Sequence, residues 1–275
     1  MSEPLFDVID QVADRVLEAR HIVLCLDFDG TLAPAVDNPV EAGLSPQMQR
    51  ALLALVGCDR LALVVLSSRT RADLQERVGI ADLIYAGNHG LEISGPGRLF
   101  VESAAAGQSE VLRDLATDLR QRLQPIAEAR VEDKGLTLSV RFPQTEPFVD
   151  EAVRQLIQAA LARQPERFDV IARAHGYEVL PRVGWHKGAA VGWIVAQLGR
   201  PDALVIYFGD DATDEEAFTA LADGITVKVG DSGETASHFH VDSSLEVRHF
   251  LEWLADTLRH ECLPPAQALL VSAAV

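Results

Sequence analysis

Cysteine is nearly absent from this 275-residue chain: only Cys25, Cys58 and Cys262 occur. Odd in number, widely spaced and without ligand-type pairing, they indicate neither a disulfide framework nor a zinc site, and a reducing cytoplasm suits them. Long apolar runs are missing as well. The strongest, Leu61 to Leu66, is far shorter than the roughly 20 residues a membrane-spanning helix needs. The start of the sequence, MSEPLFDVIDQVADRV, is acidic and amphipathic rather than basic and then apolar, so neither export nor a membrane partner is expected. Positive charge is the third shortage, with 24 Lys+Arg against 41 Asp+Glu and a formal net charge of −17. Such a surface repels nucleic acid over most of its area, and no nucleic-acid partner is expected. A small phosphorylated molecule can still bind where a divalent ion or a few placed cations reverse the local potential.

Against these shortages, 48% of the residues are hydrophobic, ample for the packed core of one large domain or two smaller ones. Apolar runs bounded by turn residues recur at His21–Leu26, Leu61–Leu66, Leu83–Ala86 and Ala203–Phe208, and segments of helical period separate several of them. That alternation predicts a parallel sheet covered on both faces. Three of the runs end in polar clusters: Asp27-Phe28-Asp29-Gly30-Thr31, Ser67-Ser68-Arg69 and Gly209-Asp210-Asp211. Ligands bind at the carboxyl ends of the strands in an open α/β sheet, so the three clusters are expected around one crevice.

The stretch from about Gln108 to Leu180 has a different texture. Glu110–Leu123 and Glu146–Arg163 carry apolar residues at helical spacing, while Ala129–Asp133, Gly135–Phe142, Phe168–Ala172 and Tyr177–Leu180 read as short strands. In order this is αββαββ, an antiparallel sheet with helices on one face. The predicted fold is therefore α/β: a Rossmann-like, doubly wound parallel-sheet core of residues 1–104 and 181–275, with an α+β (αββαββ) domain of residues 105–180 inserted in it. Leu263 to Val275 is expected as a loose tail or a strand laid on the surface.

Asp27 and Asp29 stand two apart at the end of HIVLCL, and strand periodicity would put both carboxylates on one side. So placed they repel each other unless a cation lies between them or one holds a proton. Gly30 and Thr31 let the chain turn sharply and offer backbone N–H groups to an anion. An isolated Asp-x-Asp is as often a turn cap; the complete DFDGT string after an apolar strand favours chemistry. Gly209 to Glu216, GDDATDEE, doubles as an acidic helix N-terminus, and Glu215 and Glu216 are read as only that.

LDFDGTL resembles the first motif of the haloacid dehalogenase superfamily of phosphotransferases. The others follow in order: Ser67 after LALVVL resembles the second motif, Lys187 in GWHKG the third and GDDATDEE the fourth. Within the superfamily the chain is most similar to the trehalose-6-phosphate phosphatases, through DGTLAPAVDNPVEA, LSSRT, AGNHGLE and GDDATDE, and its inserted unit resembles the cap of that family.

The resemblance implies a magnesium-dependent phosphatase that hydrolyses trehalose 6-phosphate, a small-molecule sugar phosphate, through an aspartyl phosphate. It makes Asp27 the nucleophile and Asp29 the acid and then the base. Mg2+ would be held by the Asp27 side chain, the Asp29 carbonyl and Asp210, with Asp211 and Asp214 orienting waters or Lys187. Thr31, Ser67 and Lys187 would bind the phosphate, and Arg69, His89, Glu132, Lys134 and Glu178 the rest of the substrate, under a cap that closes and excludes water. Read from the residues alone, Arg69 binds substrate or pairs with a carboxylate, and His89 contacts substrate or holds a turn. Glu132, Lys134 and Glu178 on the same terms hold the sugar or are solvated strand charges.

Two departures bear on the substrate: Arg141-Phe142-Pro143 stands where that family usually has His-Tyr-Arg, and Ser68 replaces the glycine of the second motif. A phosphatase or phosphomutase acting on another sugar or a glucosyl-polyol phosphate is the rival reading. A sugar-phosphate sensor or inactive partner of a synthase would lack the nucleophile or a metal ligand, whereas Asp27, Asp29, Lys187 and Asp210 are all present.

Overall fold

The structure, a computed structural model, describes residues 2–259 apart from 35, 37–40, 144–146, 174, 175 and 232. Cys262 and the expected tail lie outside the described residues. In chain order the elements are β1 (Glu3–Pro4), α1 (Ile9–Glu18), β2 (Ile22–Asp27), α2 (Pro46–Leu55), β3 (Leu61–Leu66), α3 (Arg71–Val78), β4 (Ile84–Gly87), β5 (Glu92–Gly95) and β6 (Arg98–Val101). Then come α4 (Ser103–Ala106), α5 (Ser109–Leu123), β7 (Arg130–Asp133), β8 (Leu138–Arg141), α6 (Pro147–Leu161), β9 (Phe168–Arg173) and β10 (Gly176–Pro181). The last are α7 (Lys187–Gln197), β11 (Leu204–Gly209), α8 (Ala212–Ala220), β12 (Ile225–Val229), β13 (Phe239–Val241) and α9 (Ser244–Thr257). The chain divides into two compact units, residues 1–99 with 186–275, and residues 100–185. No helix among the described residues is long and apolar enough to cross a membrane.

The first unit is built on a sheet of order β1-β13-β12-β11-β2-β3-β4-β5-β6, parallel from β13 to β4. Every residue of β2 is buried, as a strand covered on both faces requires. One face rests on α2 and α9, where Leu24, Leu26 and Phe208 meet Leu52, Leu55, Phe250 and Leu254. From β2 the chain adds β3 and β4 on one side, and β11 continues to β12 and β13 on the other. The strand order therefore reverses between β2 and β11, and the carboxyl ends of those two strands flank the crevice.

β3 coincides with its apolar run, while three strands run one residue further: β2 ends on Asp27, β4 on Gly87 and β11 on Gly209. Hydrogen bonding continues until a glycine or an aspartate turns the chain, while hydrophobicity stops one residue sooner. The apolar runs also leave out β12 and β13 and the β5–β6 hairpin, where Gly95-Pro96-Gly97 forms the turn and Gly97 takes φ +68°.

The second unit is a four-stranded antiparallel sheet, β7-β8-β10-β9, backed by α5 and α6. Leu138, Val140, Tyr177 and Val179 point to the helices and pack on Leu112, Leu119, Val153 and Ile157. The alternate residues Glu132, Ser139 and Glu178, directly opposed across β7, β8 and β10, form a row on the other face.

Candidate active site

Asp27, the last residue of β2, is 4% exposed. Strand periodicity stops there, so Asp29 does not follow it by pleating. It lies in the next turn, where Gly30 N–H bonds the Ala33 carbonyl at 2.8 Å and Gly30 has φ +89°. A Cβ on Gly30 would stand 2.1 Å from Asp210 Oδ2, so the first loop can approach the fourth only with glycine in that place. Thr31 Oγ1 donates to Asp210 Oδ1 at 3.2 Å and joins the same two loops.

Each of the two paired aspartates has its own cation. Arg69 grips Asp29 with two hydrogen bonds of 2.7 Å, Nε to Oδ2 and Nη2 to Oδ1, and holds Asp73 through Nη1 at 2.9 Å. Ser67, 1% exposed, donates to Asp29 Oδ2 at 3.4 Å and accepts from the Arg69 amide at 3.1 Å.

Their loop is moulded by the segment after β4. His89 N–H donates to the Ser67 carbonyl at 2.9 Å and Asn88 N–H to the Arg69 carbonyl at 2.7 Å. Asn88, His89 and Gly90 take φ of 48°, 59° and 86°, a left-handed run that costs conformational energy and persists because the second loop locks it. Glu92 completes the brace by accepting from Arg71 N at 2.9 Å and from Asn88 Nδ2 at 2.7 Å. His89 is 3% exposed, inside that turn.

Lys187, at the start of α7 and 1% exposed, sends Nζ to Asp27 Oδ1 at 2.6 Å and to Asp214 Oδ1 at 2.7 Å. Asp211 Oδ1 is 4.0 Å away. Asp211 caps α8 and forms a capping box with Asp214. Lys228 Nζ donates to the Asp210 carbonyl at 2.6 Å, and Glu215 takes the Ala236 amide at 2.8 Å. Glu215 thus does more than face a helix dipole: it ties the segment after β12 to α8.

One oxygen from each of Asp27, Asp210 and Asp214 lies within 4.8 Å of the others. Burial pushes the Asp27 carboxyl well above its ordinary range; Lys187 opposes this, and Asp214, Asp210 and Asp211 add to it. Burial, with Asp214 and Asp211, also raises Asp210 to about 7. Burial alone would depress Lys187, yet Asp214 and Asp27 outweigh it and hold the ammonium charged. With all three carboxyls ionised the cluster has more negative charge than Lys187 neutralises. An oxygen-only donor set with that deficit fits a hard divalent cation, Mg2+ ahead of zinc or copper.

In the second unit, Glu178 is 3% exposed and accepts from Lys134 Nζ at 2.7 Å and from Arg173 at 3.0 and 2.8 Å. Lys134 and Glu178 are therefore not solvated strand charges. Glu132 stands in the same row, with its side chain 54% exposed and 3.9 Å from Arg141.

The structure thus brings Asp27, Asp29, Thr31, Ser67, Arg69, Lys187, Asp210, Asp211 and Asp214 together, with His89 in the brace. It adds Asp73, Glu92, Tyr207 and Lys228, which the sequence reading gave no role. Glu92 alone had a local signal, since it closes AGNHGLE.

Comparison with known proteins fits this geometry. The Trehalose-phosphatase family model matches residues 25–247. A trehalose-phosphate phosphatase of Mycobacterium tuberculosis is 36% identical over 257 residues, 88% of this chain, and this chain spans 63% of that relative's length. Among solved structures, the C-terminal domain of the Candida albicans trehalose-6-phosphate phosphatase superposes with TM-score 0.79 at 20% identity, over 93% of this chain and 98% of that one. The C-terminal domain of the C. albicans trehalose synthase regulatory protein does so with TM-score 0.68 at 10% identity, over 89% and 97%. At such identities the superpositions speak for the fold, an α/β core with an α+β unit. Sequence spanning all four motifs carries the assignment: the chain belongs to the trehalose-phosphatase family.

Proposed function

We propose that the chain is a cytoplasmic, magnesium-dependent phosphatase that hydrolyses trehalose 6-phosphate to trehalose and phosphate through an aspartyl phosphate on Asp27. The observation that carries this reading is the convergence of Asp27, Asp210 and Asp214 within 4.8 Å, beside a charged, buried Lys187. A domain serving only regulation has no need of that cluster. Mg2+, held by Asp27, Asp210 and the Asp29 carbonyl, would supply positive charge to the nonbridging phosphoryl oxygens.

A carboxylate oxygen of Asp27 attacks phosphorus, the ester P–O bond breaks, and Asp29 protonates the departing sugar oxygen. Asp29 then takes a proton from the water that attacks the aspartyl phosphate, releasing phosphate and restoring Asp27. Arg69 orients the Asp29 carboxyl group, and Lys187, Ser67 and the Thr31 region stabilise the transferring group. The buried thiols of Cys25 and Cys58 take no part.

We assign sugar recognition to Glu132, Lys134 and Glu178. Glu178→Ala would remove a buried carboxylate that Lys134 and Arg173 share, so Glu132→Ala is the cleaner test. It should raise KM for trehalose 6-phosphate about 10-fold and leave an aryl phosphate within about 2-fold. Equal shifts for both would remove Glu132 from the sugar site.

The deciding experiment is phosphate release from a panel of sugar phosphates, with and without EDTA. Trehalose 6-phosphate should be preferred, with trehalose as product and no release in EDTA. Preference for another sugar would reassign the substrate, and phosphate returned to a sugar would make the enzyme a mutase.

A further inference from the structure

Asp27 and Asp214 compete for one ammonium at nearly equal distance, 2.6 and 2.7 Å from Lys187 Nζ. Asp214 is 0% exposed and uses both oxygens fully: Oδ2 takes the amides of Asp210 and Asp211 at 3.0 Å each, and Oδ1 takes Lys187 and, at 2.6 Å, the hydroxyl of Tyr207. Tyr207 belongs to no motif. We propose that it is a positioning residue, whose phenol shares Asp214 Oδ1 with Lys187 and so keeps the ammonium extended to Asp27. The inference rests on the phosphatase reading above.

Three features make the phenol a fixed strut. Its backbone lies in β11 between Cys25 of β2 and Thr226 of β12. The ring is 0% exposed and meets Phe218 of α8 edge-on, centroids 5.8 Å apart at 86°. Gly209, two residues on, leaves room for the Asp214 carboxyl, since a Cβ there would lie 2.3 Å from Asp214 Cγ. A second donor on Oδ1 weakens the hold of that oxygen on Lys187. Without the phenol, Lys187 is the sole remaining donor to Oδ1 and is drawn toward Asp214. Asp27 then loses orientation, a change in the reacting carboxylate rather than in substrate binding.

Tyr207→Phe keeps the ring and removes the hydroxyl. It should lower kcat about 10-fold, with KM within about 2-fold and Tm lower by a few degrees, the cost of one buried hydrogen bond. The same split is expected with an aryl phosphate, because the strut acts on the phosphoryl centre and not on the sugar. Phe250→Leu, which loosens the opposite face of β11 through the contact with Phe208 at 4.9 Å, should lower Tm and leave kcat unchanged. An unaltered kcat in Tyr207→Phe, a loss expressed in KM, or an equal kcat loss in Phe250→Leu would overturn the proposal. A parent enzyme that releases no phosphate from either substrate would instead overturn the phosphatase reading.

Discussion

Asp27→Asn should abolish turnover, lowering kcat by about 10⁴-fold or more while the protein stays folded. Asparagine matches the shape of the side chain, so β2 and its all-buried packing are preserved. Lys187 keeps Asp214 as its partner at 2.7 Å, and no cation is stranded. What disappears is the carboxylate able to form the phosphoenzyme. Phosphate release read beside a circular-dichroism melt separates the two effects. Activity above about 1% of the parent enzyme would show that another group attacks phosphorus.

Lys187→Met has the second-largest expected effect, and it falls on stability as well as rate. Methionine fills the stem but leaves Asp27, Asp210 and Asp214 clustered within 4.8 Å without an internal cation. Removing one partner of a buried ion pair costs about 3–5 kcal/mol, roughly 10 °C of Tm in a protein of this size. Rate should fall by about 10²-fold or more, because a point charge beside the reacting group is lost. Magnesium should return part of the Tm in this variant, and more than it adds to the parent, because it neutralises the same acids. Melting curves in EDTA and in magnesium test this directly. An unchanged Tm in EDTA would mean that Lys187 is not the counter-ion that holds the cluster.

The strand-end positions of Asp27, Ser67 and Asp210 were legible in the sequence because hydrophobic runs mark parallel strands and ligands gather where such strands end. The αββαββ order of the inserted unit was legible for a similar reason, through its switch of period from 3.6 to 2. Pairings were not. That Arg69 seizes Asp29, that Lys228 holds the Asp210 carbonyl and that Tyr207 reaches Asp214 depend on which strands lie side by side. Tyr207 in particular sits inside an apolar run, where nothing local separates a hydroxyl with a task from one more buried ring. β12 was legible and was passed over: Ile225, Val227 and Val229 alternate with Thr226 and Lys228 at period two, and Lys228 is the residue that props up Asp210.

Gly30 and Asp210 occupy what is, in steric terms, a single berth: any side chain on the former would displace the carboxylate of the latter. Neighbouring Thr31 is tied to Asp210 across 179 positions of chain. Transplanting one of these loops into another scaffold, or randomising it in a library, would fail unless its counterpart travelled with it. The two behave as one heritable part that happens to be encoded in two places.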